Sequence, residues 1–132
     1  VSLEIALLWL AGVIQLIIAA ANFVVAKRLD YRENLRRMSP IAGQVFIVHA
    51  AYIVFVILCF ALLCLVFASR LVTGDPMMRA ILGTLALFWA ARVVIHLAVY
   101  DKRVRAQYRM EDIAFLAACS ALAIIFTGVA LR

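Results

Sequence analysis

Residues 41–68 read IAGQVFIVHAAYIVFVILCFALLCLVFA, a run without one aspartate, glutamate, lysine or arginine. As an α-helix the run is about 42 Å long, more than a hydrocarbon core of about 30 Å requires. Apolar side chains occupy every side of that helix, so lipid or protein must cover the whole cylinder. A helix also satisfies its own backbone, which has no water to bond at membrane depth. Barrel strands alternate apolar and polar residues, and this run does not. Ser39-Pro40 marks its start: serine caps a free backbone N–H, and proline tolerates the first helical position.

Three further runs flank it. The first spans residues 3–26 and is interrupted by Glu4, Gln15 and Asn22 before Lys27-Arg28 ends it. The third spans residues 76–100; Gly74, Asp75 and Pro76 supply a turn, a cap and a helix start before it. The fourth spans residues 113–131 and is rich in small residues, with Ala114/Ala118 and Ala117/Ala121 paired four apart. Small residues let helix backbones approach closely, so this helix is expected to pack on neighbours or on a second copy. The 132 residues are 69% hydrophobic, against about half in a soluble domain. The expected fold is therefore all-α and integral to the membrane, one domain of four antiparallel transmembrane helices over residues 1–132. The first run lacks a basic leader and a small-residue cleavage site, and is not read as a signal peptide.

Charge sets the orientation. Nine of the thirteen basic residues lie in two segments: Lys27, Arg28, Arg32, Arg36 and Arg37 in one, Lys102, Arg103, Arg105 and Arg109 in the other. The positive-inside rule puts segments 27–40 and 101–112 in the cytoplasm, with the N- and C-terminal ends outside, most simply across a cell (inner) membrane. The excess positive charge is thereby assigned to topology and lipid headgroups, and no nucleic-acid partner is expected. Tyr31, Leu35 and Met38 share a face at i, i+4, i+7, which predicts a helical extension along the interface. Cys59, Cys64 and Cys119 lie inside apolar runs with no Cys-x-x-Cys spacing and read as small packing residues.

Polar side chains inside lipid are costly and face protein or a water-filled cavity. Gln15 and Asn22 share a face of the first helix; His49 and Tyr52 share one on the second. Trp89, Arg92, His96 and Tyr100 form a stripe on the third, and Asp112, Ser120 and Thr127 lie on roughly one side of the fourth. Counted from the cytoplasmic helix ends, His49 and Arg92 lie about 12 Å deep, and His96 and Asn22 about 6 Å deep. The expectation is a polar cluster in the cytoplasmic half of the bundle. Asp101, Glu111 and Asp112 are read as interfacial, which leaves Arg92 without an acid at its own depth.

Three readings of the cluster follow. As a pocket for a lipid headgroup, a quinone or a small anion, it uses Arg92, Asn22, Tyr52, Tyr100 and Gln15. As a b-type haem site, it uses His49 and His96 as ligands, since neutral imidazole binds haem iron and other metals. As a structural feature, Arg92 extends its stem toward the headgroups while the histidines and amides bridge helices.

No His-Glu-x-x-His, glycine-rich phosphate loop or Gly-x-Ser-x-Gly is present, and no nucleophile has a base at helical spacing, which weighs against an enzyme. The length and helix count resemble the small multidrug-resistance transporters. Those carry a glutamate well inside the first helix, where this chain has Gln15, and the substitution argues against coupled drug export. The expected role is binding or assembly in the bilayer, as an accessory subunit or a homo-oligomer associating through the fourth helix. The alternatives are haem-based electron transfer and a small transporter or channel.

Overall fold

The structure, a computed structural model, describes residues 2–132. Every regular element among them is an α-helix: α1 (Leu3–Arg28), α2 (Tyr31–Arg36), α3 (Pro40–Val66), α4 (Ala68–Leu71), α5 (Pro76–Val99), α6 (Lys102–Gln107) and α7 (Arg109–Ala130). Four of these, α1, α3, α5 and α7, are long and apolar enough to cross a membrane.

The helix starts follow local chemistry. Ser2 accepts from the Ile5 N–H at 3.2 Å and Ser39 from the Ala42 N–H at 3.4 Å. Asp75 accepts from the Met77 N–H at 3.0 Å, ahead of Pro76 in the first turn of α5. Gly74 before it has φ +82°, the left-handed region that a side chain disfavours.

The hydropathy boundaries differ from the helix boundaries in three places, because the backbone ends a helix by capping and not by polarity. Segment 101–112, expected as a loop, contains α6 and the first turn of α7. Asp101 starts α6 by accepting from the Arg103 N–H at 3.0 Å, and Glu111 and Asp112 suit the positive end of the α7 dipole. At the other basic segment α1 runs on to Arg28, and the chain breaks at Leu29-Asp30 before α2. Asp30 sits at φ 52°, and the Asn34 amide donates to the Leu29 carbonyl at 2.9 Å to close the turn. Met38 falls outside α2, so the interfacial helix is shorter than its apolar spacing implied. The second span stops at Val66, and Phe67 divides it from α4.

Packing is pairwise. α3 lies on α1, α1 on α7 and α7 on α5. α3 and α5 are not packed along their lengths: the Phe60 and Phe88 rings meet at 5.0 Å, and a groove of about 250 Å³ opens beside them, walled by Leu63, Met77, Ile81 and Leu85. Gly12 of α1 permits the α1–α3 contact, since a Cβ there would stand 2.6 Å from Leu65 Cγ.

The core is a ladder of large side chains: Leu8 and Ile18 from α1, Leu82, Leu85 and Trp89 from α5, and Leu122 and Phe126 from α7. Outside, Ile17, Phe23, Ile41, Phe55, Leu87 and Ile124 are all exposed. A water-soluble surface does not carry apolar side chains in such continuous faces; lipid accommodates them at no hydrophobic cost.

Candidate functional site

Polar groups gather at three levels. At the middle, Gln15 is fully buried and joins three helices. Its amide nitrogen donates to the Ala11 carbonyl at 3.2 Å and to Cys64 Sγ at 3.6 Å, and its oxygen accepts from Trp89 Nε1 at 3.2 Å. The side chain is spent on the fold, so the expected place for Gln15 in a ligand pocket gives way to a structural one. Cys64, expected as a packing residue, and Trp89 are partners in this knot.

At one end, Arg132 Nη1 contacts Glu4 Oε1 at 2.9 Å, and Arg79 Nη2 donates to the Arg132 carbonyl at 2.8 Å. These contacts border a cavity of about 240 Å³. Glu4 is the one carboxylate on its wall, and it is taken up by Arg132.

The other end carries the two basic segments. There His96 Nε2 lies 2.5 Å from Asp112 Oδ1. A carboxylate only accepts, so this nitrogen bears the proton and donates. Arg105 of α6 donates from Nε to the same oxygen at 3.0 Å and from Nη2 to Oδ2 at 3.3 Å. The Asp112 side chain is only 12% exposed. α6 folds Arg105 over it, and the first turn of α7 turns it inward to α5, so this acid at the helix end is covered by protein. The contact is made across the break at Tyr108, between α6 and α7, and no helical spacing in the sequence signals it.

His96 is 7% exposed, and its second nitrogen, Nδ1, is buried with no hydrogen-bond partner. The imidazole packs on Tyr100, with centroids 5.1 Å apart, and on Phe115 at 5.6 Å. The same two rings receive Arg92: its guanidinium carbon stands 4.7 Å from the Phe115 centroid and 5.8 Å from that of Tyr100. Arg92 is half-buried and makes neither a hydrogen bond nor an ion pair among the described residues. Tyr100 lies eight residues beyond Arg92, about 12 Å along the axis, so the arginine stem runs toward the helix end, as a long cationic side chain does near a membrane surface.

Arg92, His96 and Tyr100 are thus brought together, with Phe115 and Asp112 added from α7. The other expected members lie elsewhere. Asn22 is half-buried and bonds back to the Ile18 carbonyl at 2.8 Å. His49 is on the exposed face of α3, its Nδ1 2.8 Å from the Val45 carbonyl. Tyr52 is 65% exposed and meets Phe55 edge-on. His49 and His96, the ligands of the haem reading, are therefore not brought together. α3 packs on α1, away from the α5–α7 seam that encloses His96, and no three histidine, cysteine or acidic residues come together for a metal among the described residues.

The site offers an uncommitted guanidinium, two aromatic faces and a bare imidazole nitrogen that accepts. Among the described residues, no serine hydroxyl or cysteine thiol hydrogen-bonds His96 to make a nucleophile. No protein-family model matches this chain, and no curated protein or solved structure is detectably similar to it.

Proposed function

We propose that this chain is a binding and assembly protein of the cell (inner) membrane. Its four spans pack antiparallel, with segments 27–40 and 101–112 in the cytoplasm and the opposite ends of the helices outside. Two ion pairs support this packing of α1 on α7: Glu4 with Arg132 at one end and Arg28 with Glu111, at 2.6 Å, at the other. The excess of lysine and arginine at the Arg28 end supports the orientation.

The observation that carries the assembly reading is the way α7 divides its residues. Phe115, Cys119, Leu122, Phe126 and Val129 turn inward on α5 and α1. Ala114, Ala117, Ala121 and Gly128 fall within an arc of about 60° on the other side. Ala114, Ala117 and Gly128 are exposed, and nothing lies within 4 Å of a Cβ placed on Gly128. Lipid gains little from so smooth a surface, whereas a second helix gains close van der Waals contact. The partner is taken to be a second copy of the chain, and the Arg92–His96 site then gives the assembly a ligand in its cytoplasmic half. An electron-transfer role through a b-type haem draws no support from an exposed His49.

The test is the protein mass of the purified complex in mild detergent, by light scattering with the detergent subtracted. The expected result is a dimer or higher oligomer that Gly128→Leu shifts to monomer with unchanged helix content. A wild-type monomer free of co-purifying protein would overturn the proposal.

A further inference from the structure

We infer that Arg92 and His96 bind the phosphate and adjoining hydroxyl of an anionic phospholipid such as phosphatidylglycerol, with Tyr100 and Phe115 walling the headgroup. The inference rests on the proposed membrane orientation and names the ligand of the site described above.

Three observations point the same way. The Arg92 guanidinium is a permanent cation held between two rings with no carboxylate, and in a low-dielectric setting it calls for an anion. A phosphate diester supplies that anion and accepts from guanidinium in a planar, two-bond arrangement. His96 donates through Nε2 to Asp112, which leaves Nδ1 a buried acceptor with nothing to accept. A headgroup hydroxyl is the donor it lacks. A choline headgroup has no such hydroxyl, and its ammonium would oppose Arg92. Tyr100 meets the imidazole edge-on and is itself 44% exposed, so the site borders the protein surface.

The surroundings favour a lipid over a free ion. Phe88, one turn nearer mid-membrane on the Arg92 side of α5, is only half-buried and leaves apolar surface that an acyl chain would cover. The nearby basic segments hold Lys27, Arg32, Lys102, Arg103 and Arg109 with no ion pair among the described residues, which concentrates anionic lipid at this end.

Native mass spectrometry of the protein from mild detergent, mixed with equal phosphatidylglycerol and phosphatidylcholine, tests this. Retention of phosphatidylglycerol is expected to exceed that of phosphatidylcholine by roughly tenfold, from one hydroxyl hydrogen bond to His96 and the absence of an ammonium opposing Arg92. Arg92→Leu is expected to lower retention of phosphatidylglycerol and shrink its preference, and Arg92→Lys to keep more of both. If Arg92→Leu does not purify folded, Arg92→Gln takes its place. Equal retention of both lipids by the wild type, or an undiminished preference in the variant, would overturn the inference. Inorganic phosphate that displaces the lipid at millimolar concentration would assign the site to a free anion and overturn the lipid source. The same spectra report subunit number, so loss of selectivity with the oligomer intact is distinguishable from loss of the oligomer.

Discussion

Replacing Gln15 by leucine isolates the one hydrogen-bonded knot at mid-membrane depth. The side chain is wholly buried, and its oxygen accepts from Trp89 Nε1 at 3.2 Å. Leucine fills nearly the same volume, so the packing term is small and the indole N–H is left without an acceptor. A buried unpartnered donor costs about 1–3 kcal/mol, and interhelical hydrogen bonds in lipid contribute about 0.6–2 kcal/mol. Gln15→Leu is expected to destabilise the protein by about 1–2 kcal/mol on those grounds. Trp89→Phe removes the donor, strands the glutamine oxygen and sheds part of a large buried ring, for about 2–3 kcal/mol. In the double variant both stranded groups are gone, so its loss falls short of the sum by about 1 kcal/mol or more. The assay is reversible unfolding in mixed micelles of rising sodium dodecyl sulfate, followed by far-UV circular dichroism. Losses that add to within about 0.3–0.5 kcal/mol would refute the reasoning, because the pair would then not be coupled.

Gly12→Val drives a side chain into Leu65 at the α1–α3 contact, where a Cβ alone would lie 2.6 Å from Cγ and 3.3 Å from the Ala61 carbonyl oxygen. An overpacked contact of this kind costs about 1–3 kcal/mol in the same assay, and α3 should lose protection in hydrogen exchange before α5 and α7 do. The orientation is tested with Arg36→Cys and Thr73→Cys in a Cys59→Ser background. A membrane-impermeant maleimide applied to intact cells is expected to label position 73 and spare position 36 until the membrane is opened, and the reverse pattern would invert the topology.

The four apolar runs were legible because hydropathy sustained over about twenty residues calls for lipid as the solvent, and the caps at Ser39 and Asp75 were legible because each acts within three residues. What hydropathy alone concealed was the structure of the polar segments. Nothing in the balance of charge says that 102–107 is a helix, and without α6 the partnership of Arg105 with Asp112 is invisible. The candidate site was half legible. Arg92, His96 and Tyr100 share a stripe on one helix, so their meeting follows from the 3.6-residue period. Which stripe of another helix faces them depends on the order of packing. Depth along a helix says nothing of its neighbours: α3 packs on α1, where Gly12 offers room, and His49 faces outward. Gln15 failed as a pocket residue for a related reason: a polar side chain in the core is most stable when its partners are protein, and Trp89 and Cys64 supply them.

The assembly claim is tested most directly by cysteine cross-linking within native membranes. With Cys59 replaced by serine, Ala117→Cys and Ala121→Cys place a thiol on the smooth face of α7, and Ala20→Cys places one on α1 as a control. Mild oxidation is expected to give a disulfide-linked dimer from positions 117 or 121 and none from position 20. Monomer throughout, or equal cross-linking from all three positions, would contradict association through α7.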